Sequence, residues 1–538
     1  MACLPAVCSM SWDDFWMQGR ERMDRQLLDA GALVGHLVPA GSMFAFLAAH
    51  RGELFGDEDF ADLFPSGRGR PSVPASVMAS VMVLQVLHDC SDAEAAEAAR
   101  CDLRWKAACG FPLDHGGFDP STLVYWRRRL ANSDRPHRIG GAVRRVVAET
   151  GVVKGRRRAV DSTILADAVA TQDTITQLIA AVRRVARVVP GAAGQIAAVC
   201  TGHDYSAPGK PQIDWGDPAA KEALVSALVN DANALVAALG DAGLEGEAAS
   251  AVALLALVAG QDVEPAEGSD GMDGRWRIAR KVAEDRVISV NDPQARHTRK
   301  SPENRRDGYR AHLAACPETG IITGEQLTQA AGEENSDAAV AAQFVAGEVT
   351  GGGAACQWYG DPAYGTGDLR AVVHEAGHDA VIKPGPLRPA VEGGFTVDDF
   401  TADENAGTVT CPAGVTRRIS ARRTVTFGVA CRGCPLRARC TASKTGRTLN
   451  LHPRDALLRA ARHDWAARPA LREDYRKYRP NIERVISQVA SRGGRRLKLR
   501  YLGTARNNAW LKNRTAALNL RTLISRGLDR QNGAWALA

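Results

Sequence analysis

The most constraining stretch is Ala159–Ala166, AVDSTILA, which follows the basic run Lys154-Gly155-Arg156-Arg157-Arg158. A short apolar run of this kind predicts a buried strand, and it carries one carboxylate, Asp161. A carboxylate removed from water needs a cation or a metal ion beside it. Two later stretches offer partners. Trp358–Gly365, WYGDPAYG, ends a second apolar run on Asp361, and Tyr478–Arg484, YRPNIER, opens a helical pattern containing Glu483. Two strand-borne Asp and one helix-borne Glu make an oxygen-only site for hard divalent ions. Asp167, Asp368 and Glu473 are the alternatives within reach; the chosen three each stand in an apolar or motif-bearing context.

Around this stretch the sequence predicts several units. From Val38 to Val153 the pattern is helical. Pro71–Asp89 is apolar at helical spacing after Gly67–Pro71, and Ser91 with Glu94 forms a capping box opening a helix over Asp92–Arg100. Asp119-Pro120-Ser121-Thr122 begins another, ending in Trp126-Arg127-Arg128-Arg129-Leu130. Short helices with an Arg-rich end suit a helix-turn-helix-like DNA binder as well as a plain bundle with a wet basic end. Thr171–Val189 and Asp217–Val258 predict a helical insertion, joined by a loop over Pro190–Gly216 and followed by a polar linker, Gly260–Gly274. Asn291–Lys300 is a basic loop. Tyr309–Ala315 and Ile321–Thr328, separated by Cys316-Pro317-Glu318-Thr319-Gly320, predict a hairpin. A helix over Ser336–Val349, the Asp361 strand, and a strand over Asp379–Lys383 follow.

Charge and cysteines narrow the chemistry. With 538 residues the chain can build more than one domain. The net charge of +7 is modest, but its distribution is uneven: after Glu483 there are twelve Lys or Arg and one acid, Asp529. That excess, which includes Arg495, Arg496, Lys498 and Arg500, points to a polyanionic substrate. The longest uninterrupted apolar run, Ala249–Gly260, is too short to span a bilayer. The N-terminal MACLPAVCSMSWDDFW has no basic n-region, so no signal peptide is expected. Twelve cysteines are too sparse for a disulfide scaffold, so a reducing cytoplasm is expected and clustered thiols are read as metal ligands. Cys411, Cys431, Cys434 and Cys440 form such a cluster, with one C-x2-C pair. It predicts a structural Zn2+ closing a small β-rich insertion over 389–453; a redox pair and reduced structural cysteines are the competing readings.

Taken together, Asp161, Asp361 and Glu483 in these contexts resemble the catalytic triad of DDE transposases of bacterial insertion sequences, in the branch with a cysteine cluster between the second Asp and the Glu. The resemblance runs from about Val38 to Leu523, and a similar Asp-Pro-x-Ala-Arg stretch leads into the hairpin in that family. It implies an α/β catalytic core with a ribonuclease-H-like mixed sheet and flanking helices, over 154–538. To this are added an all-α N-terminal DNA-binding domain (38–153), a helical insertion (167–285) and the zinc-ribbon-like insertion. Strand, hairpin, helix, strand, helix, strand is the order such a core requires, with Asp361 ending the fourth strand. The implied activity is metal-dependent cleavage and strand transfer at element ends, with Mg2+ or Mn2+ held by Asp161, Asp361 and Glu483. A nuclease or domesticated relative without strand transfer, and a non-catalytic zinc-containing DNA-binding regulator, are the alternatives.

The family's Tyr-Arg-Glu-Lys signature is matched at Arg479, four before Glu483. Tyr475 stands one position too far from Arg479, Tyr478 is adjacent to it, and the downstream base falls on Arg492 or Lys498, off the usual spacing. Arg479 is expected at a phosphate near the scissile bond, with Arg127, Arg128, Arg129, Arg495, Arg496, Lys498 and Arg500 contacting DNA. The implied partners are double-stranded DNA, as element ends and target, and a second copy of the chain in a homodimer on DNA. No membrane is implied, and the location is the cytoplasm, at the nucleoid.

Overall fold

The computed structural model describes residues 18–19, 21, 28–65, 71–240, 242–281, 283, 285–301, 304–350 and 355–538. The N-terminal stretch read for a signal peptide, and Gly67–Arg70 ahead of the first long helix, lie outside them.

The fold is mixed α/β around one mixed sheet. Its middle strand is β1 (Arg157–Ala166). β2 (Arg296–Ser301) and β4 (Ile322–Gln329) both pair antiparallel with the long β3 (Asn304–Ala315), which itself lies antiparallel to β1. On the other side of β1, β5 (Gln357–Gly360) and then β6 (Asp379–Ile382) pair in parallel. The predicted hairpin is β3–β4. The stretch read as a basic loop instead supplies β2, so Asp361 follows the fifth strand rather than the fourth. β2 is polar throughout in sequence, and an edge strand can be: it draws its hydrogen bonds from β3. β3 exchanges β2 for β4 as partner near Gly308. There φ is 148° and a Cβ would lie 2.0 Å from the Leu165 carbonyl oxygen, so only glycine fits.

Helices cover the sheet. The N-terminal helices include α1 (Met43–Leu54), α2 (Ala75–His88), α3 (Asp92–Cys101), α4 (Leu103–Cys109), α5 (Ser121–Ala131) and α6 (Arg138–Thr150). The Ser91–Glu94 capping box is present at the start of α3. These helices share one continuous apolar core with the sheet; Leu47, Met78, Leu84 and Trp126 belong to the same cluster as Ala159, Leu313 and Tyr359. On the opposite side, α7 (Asp337–Thr350) and α8 (Gly367–Glu375) enclose Val160, Trp358 and Tyr364.

Two insertions have cores of their own. The first holds helices Thr174–Val188, Pro218–Leu239 and Gly246–Gln261, and a further one, Ala192–Val199, inside the predicted loop. The polar linker also contributes a short strand, Val263–Pro265, paired with Trp276–Ile278. Pro218–Leu239 is the one described helix long and apolar enough to cross a membrane, although Lys221, Glu222 and Asp231 interrupt it. Leu224, Leu228, Ala232 and Leu235 are buried in the insertion's core. Asp231 is buried there too, accepting from the Thr201 and Gly202 amides and the Tyr205 hydroxyl. This is a packed helix with a satisfied carboxylate. The second insertion packs Phe400, Val409, Val425, Phe427 and Leu449 around Cys431 and Cys440.

Candidate active site

The register of the sheet sets the site. β1 and β5 pair with Ala159 opposite Tyr359, so Asp161 and Asp361, each two residues further on, stand level on neighbouring strands about 4.8 Å apart in the sheet direction. Pro362 follows Asp361 and ends the strand, and the Asp361 Oδ1 caps the turn by accepting from the Ala363 amide at 2.8 Å. Asp161 Oδ1 accepts from the Ser162 amide at 2.8 Å.

Glu483 arrives from the far end of the chain. α9 (Pro469–Tyr478) stops at Arg479, Pro480 follows, and α10 (Asn481–Ala490) begins at once. Ile482, Val485 and Val489 of α10 are buried in the core that holds Ala159 and Tyr359. Their spacing turns Glu483, in the first turn, to the strand ends.

The three carboxylates meet around one guanidinium. Arg479 Nη2 lies 3.0 Å from Asp161 Oδ2 and 3.8 Å from Asp361 Oδ2, and its Nη1 is 3.6 Å from Glu483 Oε1. The Arg479 side chain is 8% exposed, Asp161 18%, Asp361 40% and Glu483 70%, so the site grades from interior to surface. Burial pushes the Asp161 carboxyl above its usual range, and Arg479 opposes the shift. The pocket needs positive charge, and a single guanidinium only partly balances three carboxylates. Among the described residues, no group of three or more His, Cys, Asp or Glu stands close enough to hold a metal ion as the side chains lie. Here the carboxylate oxygens are spread round Arg479 rather than facing one another.

Two tyrosines border the site. Tyr475 is half-buried, and its hydroxyl is raised chiefly by burial, with Asp361, Asp161 and Glu483 adding to it. Tyr478 turns away, under the Arg157 guanidinium at 4.2 Å. The displaced Tyr475 is therefore the one that faces the triad. Tyr364 was not singled out from sequence. Its hydroxyl is buried without a hydrogen-bond partner among the described residues, and burial together with Asp337, Asp161 and Asp361 holds its pKa well above the usual value. Its place in the DPAY turn after Asp361 was the available signal. Of the alternatives, Asp368 and Glu473 are exposed. Asp167 is buried just past the C-terminal end of β1, six residues beyond Asp161, where burial, Asp307 and Asp292 push its carboxyl up to about 6.

The arginines expected on DNA divide into two groups. Arg127 pairs with Asp92 and lies 5.3 Å over the Tyr501 ring. Arg129 donates to the Leu63 carbonyl and stacks on Phe64 and Tyr125. Arg500 donates to the Asp89 carbonyl at 2.9 Å. Arg128, Arg495, Arg496 and Lys498 are exposed, and Arg479 is taken into the carboxylate site. Arg492 and Arg514 were not expected to have a structural part. With Arg500 they satisfy the carbonyls ending α2: Arg514 on Val86, Arg492 on His88 and Arg500 on Asp89. Part of the twelve-to-one basic excess thus fastens the N-terminal helices to the core.

Cys411, Cys431, Cys434 and Cys440 line one narrow cavity of about 20 Å3. Burial and the other three thiols push the Cys440 thiol up, and the Arg447 amide donates to Cys431 Sγ at 3.5 Å. The four converge on one point without closing to metal-ligand spacing.

Two family models match the chain. One, described as Transposase DDE domain, matches residues 410–524; the other, Transposase domain (DUF772), matches residues 34–129. The first takes in the cysteine cluster, Arg479 and Glu483, and the second takes in the N-terminal helices as far as Arg129. No curated protein and no solved structure matches the chain.

Proposed function

From a chain that belongs to the DDE-type insertion-sequence transposases, we propose an enzyme that binds the ends of its element, cuts the DNA there and joins the freed 3′-hydroxyl ends to target DNA. The observation that carries this is the meeting of Asp161, Asp361 and Glu483, from two adjacent strands and a helix, around the Arg479 guanidinium. An oxygen-only donor set with an excess of negative charge suits Mg2+ or Mn2+, and the three carboxylates would hold such ions. When bound, a pair of these ions activates the attacking oxygen and stabilises the leaving one. Asp161 is the most buried of the three residues that would hold them. Arg479 would leave the carboxylates for a phosphate near the scissile bond, which its planar fork fits. Arg128, Arg495, Arg496 and Lys498 would hold the duplex backbone, and Tyr475 would border the bound strand. The mixed sheet and its order support a ribonuclease-H-like core over 154–538; we read 38–153 as the DNA-binding part and propose a homodimer on DNA, in the cytoplasm, as the working unit.

The test is an in vitro assay on DNA carrying the element's terminal repeats, in Mg2+ or Mn2+. Cleavage followed by joining to a second duplex is expected. Cleavage without joining would make the protein a nuclease, and neither would leave a DNA-binding regulator.

We further propose a structural Zn2+ held by Cys411, Cys431, Cys434 and Cys440, supported by their shared cavity. Protein purified without chelator should contain about one zinc per chain, as a four-thiolate site requires. Cys434→Ser should expose the insertion to protease before it slows cleavage. Zinc-free protein with an intact insertion would remove the assignment.

A further inference from the structure

The cysteine-cluster insertion, 389–453, separates its charges along the chain: its five acids, Glu392, Asp398, Asp399, Asp403 and Glu404, all come before Cys411. From Cys411 to Pro453 the sequence has nine Lys or Arg and no Asp or Glu. Among the described residues, Arg423 alone of these has an acidic partner, Glu404, at 2.6 Å. Arg417, Arg418, Arg422, Arg432, Arg439 and Lys444 are exposed. An ordinary solvated face mixes both signs. A zinc tetrathiolate could not absorb the excess either, since it carries a net negative charge of only about two.

The insertion is also well placed and firmly held. It leaves the sheet from the end of β6, where Ile382 pairs with Gly360, the residue before Asp361. It returns through the helix Asp455–Ala467, which leads by way of α9 to Arg479 and Glu483. Arg462 grips Asp398 through two bonds of 2.6 Å, and Arg459 donates to the Phe400 carbonyl at 2.8 Å. At its root His452 lies 3.7 Å from Asp368, in the first turn of α8 and seven residues beyond Asp361. A cationic surface fixed to the carboxylate end of the sheet suits a partner with regularly spaced negative charge that runs through the site.

We propose that the exposed arginines of this insertion, Arg417, Arg418, Arg422 and Arg432 foremost, form a second, sequence-independent contact with the phosphate backbone of duplex DNA lying beyond the point of cleavage. The proposal rests on the transposase reading of the carboxylate site and adds a partner surface to it. Phosphate contacts of this kind release counterions, so each one lost lowers the slope of log affinity against log salt by about 0.9.

The experiment uses the full chain and a fluorescent 40-base-pair duplex of arbitrary sequence, titrated over a salt series. The variant R417Q/R418Q/R422Q/R432Q should lower the slope by about 3 to 4 and raise the Kd at least tenfold at low salt. Cleavage at saturating element-end DNA should be unchanged. A control with the same charge loss on the helical insertion, R187Q/R275Q/R280Q/K281Q, should leave the slope within about one of wild type. If the fourfold variant does not fold, Arg418→Glu and Arg422→Glu, made singly, should each weaken binding with a normal melting profile. An unchanged Kd and slope, or an equal loss in the control, overturns the proposal. A protein that loses binding as expected but still cuts after Asp161→Ala would leave this surface standing and refute the transposase chemistry.

Discussion

Asp161→Ala is expected to reduce cleavage of element-end DNA by roughly 10^3-fold or more, with affinity for the same DNA unchanged or slightly higher. The carboxylate would hold ions worth several kcal/mol to the transition state, and about 4 kcal/mol is a thousandfold in rate. It is also the member most committed to the site, at 18% side-chain exposure and 3.0 Å from Arg479. Affinity rests on Lys and Arg at the backbone, and removing a negative charge from a phosphate site cannot weaken it. Asp361→Ala and Glu483→Ala should behave alike. Arg495→Gln with Arg496→Gln should do the reverse, weakening binding in a salt-dependent way while sparing the rate at saturating DNA. Gel-shift and cleavage assays on one panel separate the two classes. Wild-type cutting by the Asp161 variant would end the mechanism.

The largest effect on stability is expected at Arg514. It is 2% exposed and donates to the carbonyls of Val86 on α2, Gln488 and Val489 on α10, and Ser491 just beyond. It therefore satisfies the C-terminal ends of two helices from different regions of the chain, where carbonyls lack partners of their own. Arg514→Leu keeps much of the packing but leaves these acceptors buried and unmet, at about 1–3 kcal/mol each. A loss of at least about 3 kcal/mol is expected, concentrated where the N-terminal helices dock on the core. Limited proteolysis should then cut near residues 151–156 well before wild type does, and the urea midpoint should fall. A variant with an unchanged midpoint and cutting pattern would show that other contacts hold the two regions together.

The meeting of Asp161, Asp361 and Glu483 around Arg479 was legible because each stands in a distinct context: a lone charge in an apolar strand, an Asp closing the next strand, a Glu opening a helix behind Arg479. Local signals also carried the capping box at Ser91 and the β3–β4 hairpin, which depend on neighbours a few residues apart. The arginines were harder. Arg128 and Arg129 are adjacent in sequence, yet one faces solvent and the other lies between Phe64 and Tyr125. Arg492 reaches His88 across 404 positions of chain. A long cationic side chain serves a helix end or a phosphate equally well, and only the fold decides which. β2 was missed for a related reason: its polar residues carry no period-2 pattern, and it is a strand because β3 offers an open edge. Tyr364 was passed over because a lone aromatic in a turn reads as packing, and its hydroxyl, without a hydrogen-bond partner among the described residues, became visible only once the carboxylates were in place around it.

On the proposed function, Asp161, Asp361 and Glu483 hold divalent ions in common. Substituting Fe2+ for Mg2+ and adding peroxide and ascorbate should cut the polypeptide next to whatever side chains bind the ion. Three groups of fragments are predicted, ending near residues 161, 361 and 483, each suppressed by excess Mg2+ and lost together in Asp161→Ala. Cutting that spares one of these positions, or that Mg2+ fails to suppress, would contradict a shared site.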